Sequence, residues 1–248
     1  MAEIHHEGLG LTKDEAVKTF NRLDDVAKSF WFFGFAHEVV DLLDGCRENF
    51  VSIHLNLTWF AKVTILVATV AMVAIRAPHG RQSRMIKVVE SRKGSLEIFL
   101  LAVAGIAFLI PILWIATTWF AFADYRLYLA PFLAGSLLLA LGLWLFYRSH
   151  SDLGTNWSVT LEIREAHGLV TDGVYGRVRH PMYVALLLYG LGQAIVVPNW
   201  VAGPVYEVAM VLICAFRLGR EEALMREHFK SAYDAYASRT KRLIPGVW

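Results

Sequence analysis

The chain has 248 residues, of which 56% are apolar and 19% are charged, whereas a soluble domain is typically ~45–50% apolar and ~25% charged. Together with a mean hydropathy of +0.45, this composition argues against a soluble enzyme, a disordered chain and a nucleic-acid-binding module. The two cysteines, Cys46 and Cys214, are too few for a disulfide framework or a cysteine-based zinc site. The net charge of +2 divides unevenly, because residues 1–50 hold ten acidic and five basic side chains and the remainder holds twelve and nineteen.

The residue pattern of 1–50 predicts an amphipathic or interfacial helical segment. Their first 30 residues carry acids and no apolar core, so no signal peptide is expected. Thr12 and Glu15 have the spacing of a capping box, and apolar residues then recur at helical spacing. The stretch 30–43 is too short and too charged for a membrane span, which favours an interfacial helix.

Three apolar runs follow that are long enough to cross a bilayer, whose ~30 Å hydrocarbon core needs about 20 helical residues. They cover residues 56–75, 96–118 and 127–147. Lys62 lies near one end of the first run, where a long side chain reaches the interface. Pro111 lies inside the second run, and a bundle tolerates a proline there. We therefore expect three transmembrane helices between residues 51 and 148.

Two further spans, 182–198 and 200–219, are separated by a three-residue turn. They predict a tight antiparallel hairpin, which returns Pro181 and Gly219 to the same face of the membrane. With five spans in total, the sequence predicts an all-α polytopic membrane helical bundle with a C-terminal helical tail.

The distribution of lysine and arginine orients this bundle, because cytoplasmic loops are enriched in both residues. The basic residues number six in 76–95, four in 148–181 and seven from Arg217 onward, against one in 119–127 and none in 198–200. The basic loops and the tail are therefore expected to face the cytoplasm. Five spans place residues 1–50 on the opposite face, and a sixth span near 30–45 would reverse that placement.

The segment between the third and fourth spans has the composition of a ligand site. It is about 35 residues long, and a connector of that length in a compact protein usually has a function. Arg179 and His180 place cationic donors at the membrane surface, and Pro181 begins the next helix, whose N-terminus favours anions. An ordinary interfacial anchor would have similar residues.

A second polar element follows the fifth span, where Arg217 precedes Glu221, and Glu222 precedes Arg226, each by four residues. Both pairs are typical of a solvated helix surface. The hairpin, however, places Glu221 and Glu222 near the 179–183 segment, so a small-ligand site is the stronger interpretation.

The two elements together resemble the isoprenylcysteine carboxyl methyltransferase family, within the wider group of integral-membrane methyltransferases that includes phospholipid N-methyltransferases. The resemblance covers roughly residues 140–248. It rests on the spacing and order of Leu169-Val170-Thr171, Gly173, Tyr175, Arg179-His180-Pro181, Tyr183, Arg220-Glu221-Glu222, Phe229, Tyr233 and Tyr236. It implies a methyltransferase core over residues 149–248, after an N-terminal segment of 1–50 and three spans in 51–148.

The family uses S-adenosylmethionine without a Rossmann domain, and the resemblance implies where this cofactor binds. The implied cofactor-binding residues are Leu169, Val170, Thr171, Gly173, Tyr175, His180, Pro181, Tyr183, Glu221 and Glu222. The implied catalytic residues are Arg179, His180, Arg217 and Glu222. Aromatic faces attract a sulfonium, for which Tyr175, Tyr183 and Trp157 are candidates.

The residues also bear on the methyl acceptor. A carboxylate acceptor needs no general base but needs a cation to orient it, which Arg179 or Arg217 would supply. An amine or thiol would lose a proton, for which His180 or Glu222 is a candidate base. No metal is expected, and His150, His167 and His180 are interpreted as surface histidines with satisfied hydrogen bonds.

The favoured acceptor is a lipophilic small molecule of the isoprenylcysteine carboxylate type. Membrane lipids are expected as partners and nucleic acid is not, and the oligomeric state is left open. A phospholipid amine and a small thiol stay open as acceptors. Two other classes also stay open: an NADPH-dependent membrane reductase of the sterol reductase type, and a membrane scaffold without enzymatic activity.

Overall fold

The computed structural model describes residues 50–85, 88–91, 94–154, 162–164, 168–244 and 246. The predictions for residues 1–49, Trp157 and His167 lie outside these ranges. The described helices are α1 (Phe50–Met85), α2 (Ser95–Ala116), α3 (Leu129–Leu153), α4 (Pro181–Val196), α5 (Val205–Phe229) and α6 (Ser231–Arg239), with 3-10 turns at Ala121–Ala123 and Gly173–Gly176. Two short strands, β1 (Val88–Ser91) and β2 (Glu162–Arg164), complete the described elements.

Helices α1, α2 and α3 contain three segments long and apolar enough to cross a membrane: Leu57–Gly80, Ser95–Ala116 and Leu129–Leu153. Each coincides with one of the first three predicted spans. Their outward faces carry large apolar side chains, such as Val67, Phe99 and Leu137, which are all more than half exposed. Such a surface is typical of helices surrounded by lipid.

The predicted hairpin is formed by α4 and α5, but its turn differs from the prediction. The chain turns over residues 197–204, because a buried asparagine organises that segment. Asn199 Oδ1 accepts hydrogen bonds from the backbone N–H groups of Val201 and Ala202 at 3.0 and 2.7 Å. Its amide donates to the Asp124 carboxylate at 2.6 Å. The predicted three-residue turn was therefore too short, and the fifth apolar helix begins at Val205.

Helix α5 also extends further than predicted. It runs without a break from Val205 to Phe229, so the polar element with Glu221 and Glu222 lies on the same helix as the fifth apolar run. The other arm, α4, has 16 residues, which correspond to about 24 Å at 1.5 Å per residue.

A small antiparallel sheet pairs two segments that the sequence analysis left without secondary structure. Strand β1 pairs with β2, with Glu90 opposite Ile163 and Ser91 opposite Glu162. The pairing joins the connection between α1 and α2 to the connection between α3 and α4. The remaining described elements are helical, in agreement with the predicted class.

Helices α3 and α4 pack most extensively among the described elements. Small residues permit this approach, as they do at many membrane helix interfaces. A Cβ atom on Gly142 would lie 2.8 Å from the Tyr189 backbone nitrogen and 3.0 Å from the Ala185 carbonyl oxygen. Both neighbours are backbone atoms of α4, so the contact sets the distance between the two helices.

We expect Gly142→Ala to destabilise the bundle by about 1–3 kcal/mol, the usual cost of overpacking a core. The measurement is thermal unfolding in detergent. The control is Gly219→Ala, because Gly219 is helical, exposed and has open space around it. Equal unfolding temperatures for the wild type and Gly142→Ala would contradict the tight packing of α3 against α4.

Candidate functional site

A cavity of about 380 Å³ lies between the helices and the 168–183 segment, within the ~300–1,000 Å³ typical of small-molecule sites. The residues of helix α5 that line the cavity change from apolar to charged along the helix. Tyr206, Met210 and Ile213 line the first part, and Arg217 and Glu221 line the part beyond it. The cavity therefore has an apolar end and a polar end.

The two polar elements that the sequence placed near each other meet at the polar end. The Tyr183 hydroxyl donates a hydrogen bond to Glu221 Oε2 at 2.7 Å, and His180 Nε2 lies 3.4 Å from Glu222 Oε1. Arg217 Nε lies 3.8 Å from Glu221 Oε2, in the predicted pairing four residues apart. The predicted proximity of the 179–183 segment to the two glutamates is confirmed.

Glu221 and Glu222 have different positions in this site. Glu221 lines the cavity and its side chain is 24% exposed. Glu222 is fully buried and lies outside the cavity lining. It accepts hydrogen bonds from Arg179 Nε at 3.0 Å and from Arg242 Nη2 at 2.8 Å. Glu222 is thus placed to hold other side chains in position, whereas Glu221 is placed to contact a ligand.

The protonation state of Glu222 follows from these contacts. Burial alone would raise the pKa of this carboxyl, but hydrogen bonds from His180, Arg242 and Arg179 outweigh burial and hold its pKa well below the ordinary 4.5. Glu222 is therefore a carboxylate at neutral pH. A carboxylate with so low a pKa is a poor proton acceptor, which argues against Glu222 as a general base.

The C-terminal residues after α6 bind directly to the 178–180 segment. Val178 pairs with Lys241 in a parallel bridge, and the backbone N–H groups of Arg179 and His180 donate to the carbonyls of Lys241 and Arg242 at 2.7 and 3.1 Å. The Arg179 guanidinium also donates to the carbonyls of Ala237 and Thr240. The tail thus fixes the residues that enter the cavity.

Arg242 belongs to this cluster of charged residues, and the sequence analysis did not single it out. Its guanidinium bonds both oxygens of Glu222, with Nε 3.1 Å from Oε1 and 3.2 Å from Oε2. In the sequence it belongs to a basic run from Arg239 to Arg242, which resembles any solvated tail. Only the pairing of the tail with residues 178–180 identifies its partner.

Tyrosines surround the polar end of the cavity, namely Tyr175, Tyr183, Tyr233 and Tyr236. The Tyr236 hydroxyl donates to the Tyr175 carbonyl at 2.7 Å. Burial raises the pKa of Tyr236 to about 12 and raises the pKa of Tyr175 and Tyr233 as well. All three are neutral phenols at physiological pH, so they offer aromatic faces to a cation.

The loop before α4 contributes to the cavity unevenly. Leu169 and Val170 line it, whereas Thr171 and Gly173 do not. Gly173 has φ +60°, and a Cβ atom there would overlap the Asp152 carboxylate, which accepts a hydrogen bond from the Val174 N–H at 2.9 Å. Gly173 therefore shapes the loop. Pro181 lines the cavity and begins α4.

The interpretation of His150 and His180 as surface residues was wrong. His150 is fully buried on α3, lines the cavity, and its Nδ1 lies 2.9 Å from the Phe146 carbonyl. Its ring lies 4.9 Å from that of His79. His180 is also buried, at 6% exposure. The spacing of these histidines in the sequence carried no indication that α1 and α3 enclose one of them.

Comparison with known proteins gives matches of three kinds: a family model, curated relatives and a solved structure. Residues 130–232 match the family model PEMT, phospholipid methyltransferase. The protein-S-isoprenylcysteine O-methyltransferase of Schizosaccharomyces pombe is 30% identical over 109 residues, which are 43% of this chain and 46% of that protein. Protein-S-isoprenylcysteine O-methyltransferase B of Arabidopsis thaliana is 31% identical over 96 residues, 38% of this chain and 49% of that protein.

The corresponding protein of Rattus norvegicus is 30% identical over 116 residues, which are 46% of this chain and 41% of that protein. The chain thus spans less than half the length of these three relatives. A solved structure of the eukaryotic intramembrane Ras methyltransferase ICMT has a TM-score of 0.44 and 19% identity, covering 94% of this chain and 96% of that one. The curated relatives confirm the resemblance to the isoprenylcysteine carboxyl methyltransferase family.

Proposed function

We propose that the chain is an integral-membrane methyltransferase that uses S-adenosylmethionine and methylates a lipophilic small molecule. The observation that carries the proposal is the meeting of the 179–183 segment with Glu221 around one cavity, within the segment that matches the family. The curated relatives of the chain are O-methyltransferases by name. We therefore favour a carboxylate of the isoprenylcysteine type as the acceptor.

The groups at the polar end of the cavity match the charged and polar parts of S-adenosylmethionine. Glu221 would accept hydrogen bonds from the ammonium or ribose groups, and the N-terminus of α4 at Pro181 would face the carboxylate. The rings of Tyr175, Tyr183 and Tyr233 would lie around the sulfonium. When bound, S-adenosylmethionine supplies a methyl group on a positively charged sulfur, and transfer breaks that carbon–sulfur bond with its electron pair left on sulfur.

The protein's part in the reaction is to position the acceptor. A carboxylate oxygen is already a nucleophile at neutral pH, so the site needs to orient it and exclude water. Glu222 is fixed as an ion-paired carboxylate, which agrees with a reaction that needs no general base there. The family match to phospholipid methyltransferases favours a phospholipid amine as the alternative acceptor.

The membrane arrangement belongs to the same proposal. We place α4 and residues 205–219 of α5 as the fourth and fifth spans, with the polar end of the cavity and the tail at the cytoplasmic face. Residues 51–148 then form three spans and residues 149–248 form the methyltransferase core. Residues 1–50 are assigned to the interfacial segment.

Calorimetric titration of the purified chain with S-adenosylmethionine and, separately, with NADPH tests this function. We expect binding of S-adenosylmethionine and no heat with NADPH. Binding of NADPH alone would support the reductase, and binding of neither would support a scaffold. Either result would overturn the proposed methyltransferase activity.

A matched pair of histidine variants locates the binding site in the same experiment. His180→Ala should abolish S-adenosylmethionine binding, because His180 is buried in the cavity wall beside the glutamates. His228→Ala is the control, since His228 is exposed on α5 and does not line the cavity. Wild-type affinity for S-adenosylmethionine in His180→Ala would show that the cofactor does not bind in this cavity.

A further inference from the structure

The residues after α6 return the chain to the membrane boundary. Helix α5 continues for ten residues beyond Gly219, about 15 Å at 1.5 Å per residue, and α6 then leads back. Leu243, in the tail after α6, is 9% exposed and belongs to a buried apolar cluster with Cys214 and Leu218. Both partners lie within residues 205–219, the fifth span of the proposed arrangement. The end of the tail is therefore level with this span and not beyond it.

Helix α4 contributes Val184 and Leu187 to the same apolar cluster. Leu187 lies six residues after Pro181, which is about 9 Å along the helix. The next residue of the tail, Ile244, is 52% exposed. An exposed isoleucine at this depth continues the outward apolar surface of the spans, so it is placed to contact lipid.

The tail is also basic. Residues 235–248 hold three basic side chains and no acidic one. Arg242 is turned toward the protein, where it bonds Glu222. Arg239 and Lys241 are exposed, and neither forms an ion pair with a described residue. Lys241 is two residues from the buried end of the tail, at most about 7 Å of extended chain, so its charge lies at the membrane boundary.

An anionic lipid surface matches this combination of side chains. Basic residues beside a span are attracted to anionic head groups, and apolar residues enter the boundary among the acyl chains. A soluble acidic protein or a free phosphate would match the two cations. Neither would account for an exposed isoleucine level with the spans, so the membrane is the occupant that the tail fits.

We propose that residues 239–244 form a docking surface for anionic phospholipid, with Arg239 and Lys241 on the head groups and Ile244 among the acyl chains. The inference rests on the membrane arrangement given under the proposed function, and it does not depend on the chemistry of methyl transfer.

Lipid binding at the tail acts on the cavity through the backbone. The N–H groups of Arg179 and His180 donate to the carbonyls of Lys241 and Arg242, so a tail held at the membrane also holds these two cavity residues. An anionic membrane therefore strengthens the docking of the tail on the 178–180 segment, in addition to the ion pairs of Glu222.

Hydrogen exchange of the 178–180 backbone amides tests the docking surface. The full chain is placed in nanodiscs of phosphatidylcholine, and in nanodiscs in which phosphatidylglycerol replaces part of it. No methyl donor is added, so the readout does not depend on cofactor binding. We expect exchange to be at least ~10-fold slower in the anionic discs, because each basic side chain near such a surface changes the binding equilibrium about five-fold.

The double variant Arg239→Gln, Lys241→Gln should exchange at the same rate in both kinds of disc. Ile244→Asn should speed exchange in both, because the apolar contact does not depend on the charge of the head groups. Lys230→Gln is the control for charge alone. Lys230 is exposed where α5 ends, about 15 Å from the boundary along the helix and beyond the ~8 Å Debye length at physiological salt. This variant should keep the full effect of the anionic lipid.

Equal exchange of the wild type in the two kinds of disc would overturn the docking surface, and this comparison decides even where a variant does not fold. A full lipid effect in the double variant, or its loss in Lys230→Gln, would also overturn it. Equal protection by glycerol phosphate in detergent would indicate a site for a free anion, and protection that rises with protein concentration would indicate a second copy of the chain; either result contradicts a lipid surface. Absence of S-adenosylmethionine binding would overturn the proposed function and leave these results unchanged.

Discussion

Glu222→Ala is expected to abolish S-adenosylmethionine binding and to release the C-terminal tail from the 178–180 segment. The variant removes the carboxylate that Arg179, His180 and Arg242 share. Arg179 is only 10% exposed, so it would keep a buried charge without its counter-ion. Loss of one partner from a buried ion pair typically costs ~3–5 kcal/mol, which is enough to undock a short tail.

Two measurements read this result: calorimetric titration with S-adenosylmethionine, and limited proteolysis of the residues that follow α6. We expect no binding and faster cleavage near Arg239–Arg242. Arg226→Ala is the matched control, because Arg226 Nη2 lies 3.9 Å from the same carboxylate but its side chain is 48% exposed. A surface pair contributes ~0–1 kcal/mol, so this variant should bind and resist protease like the wild type.

Wild-type affinity and wild-type cleavage in Glu222→Ala would show that the tail docks without the ion pairs. Arg242→Ala separates release of the tail from loss of S-adenosylmethionine binding. It should release the tail while leaving Glu222 paired with Arg179 and His180, so its effect on cleavage should exceed its effect on binding. The reverse order would mean that Glu222 itself contacts the cofactor.

Features that depend on local composition were predictable from the sequence. The three candidate spans coincide with apolar runs because the length of such a run depends only on the chain itself. The approach of His180 to Glu222 was predictable for a related reason. Two helices joined by a short turn must be antiparallel, so the residues just outside them share one end.

Features that depend on long-range contacts were not predictable. The turn of residues 197–204 is organised by Asn199, whose amide reaches the Phe120 carbonyl and Asp124, about 75 residues away in the chain. The partner of Arg242 depends on how the tail aligns with Val178. The sequence shows residue types at these positions, but it does not show which of many polar groups will meet.

The two neighbouring glutamates illustrate the same limit at the level of one helix. Successive residues on an α-helix differ by about 100° in direction, since 3.6 residues make a turn. Only the rotation of α5 about its axis decides which of Glu221 and Glu222 faces the cavity. The resemblance assigned both to the cofactor, whereas the geometry separates a lining residue from a residue behind the wall.

Glu221→Gln is therefore expected to weaken S-adenosylmethionine binding at least ~10-fold, about 1.4 kcal/mol, with little change in thermal stability. The carboxylate charge at the cavity is lost, and with it the attraction to a cationic ligand. The amide oxygen still accepts the hydrogen bond that the Tyr183 hydroxyl donates at 2.7 Å. Glu221 is partly exposed, and its contact with Arg217 is long, at 3.8 Å. A neutral side chain at this position therefore changes the stability of the fold little.

Glu222→Gln is the matched comparison, since it makes the same chemical change one residue further along. It should lower the unfolding temperature, because an amide satisfies neither Arg179 nor Arg242 as a charged partner. The pair of variants thus separates ligand contact from support of the fold: the first should change affinity alone, and the second should change stability together with affinity. If Glu221→Gln lowered the unfolding temperature as much as Glu222→Gln, or bound S-adenosylmethionine like the wild type, the division of roles between the two glutamates would be wrong.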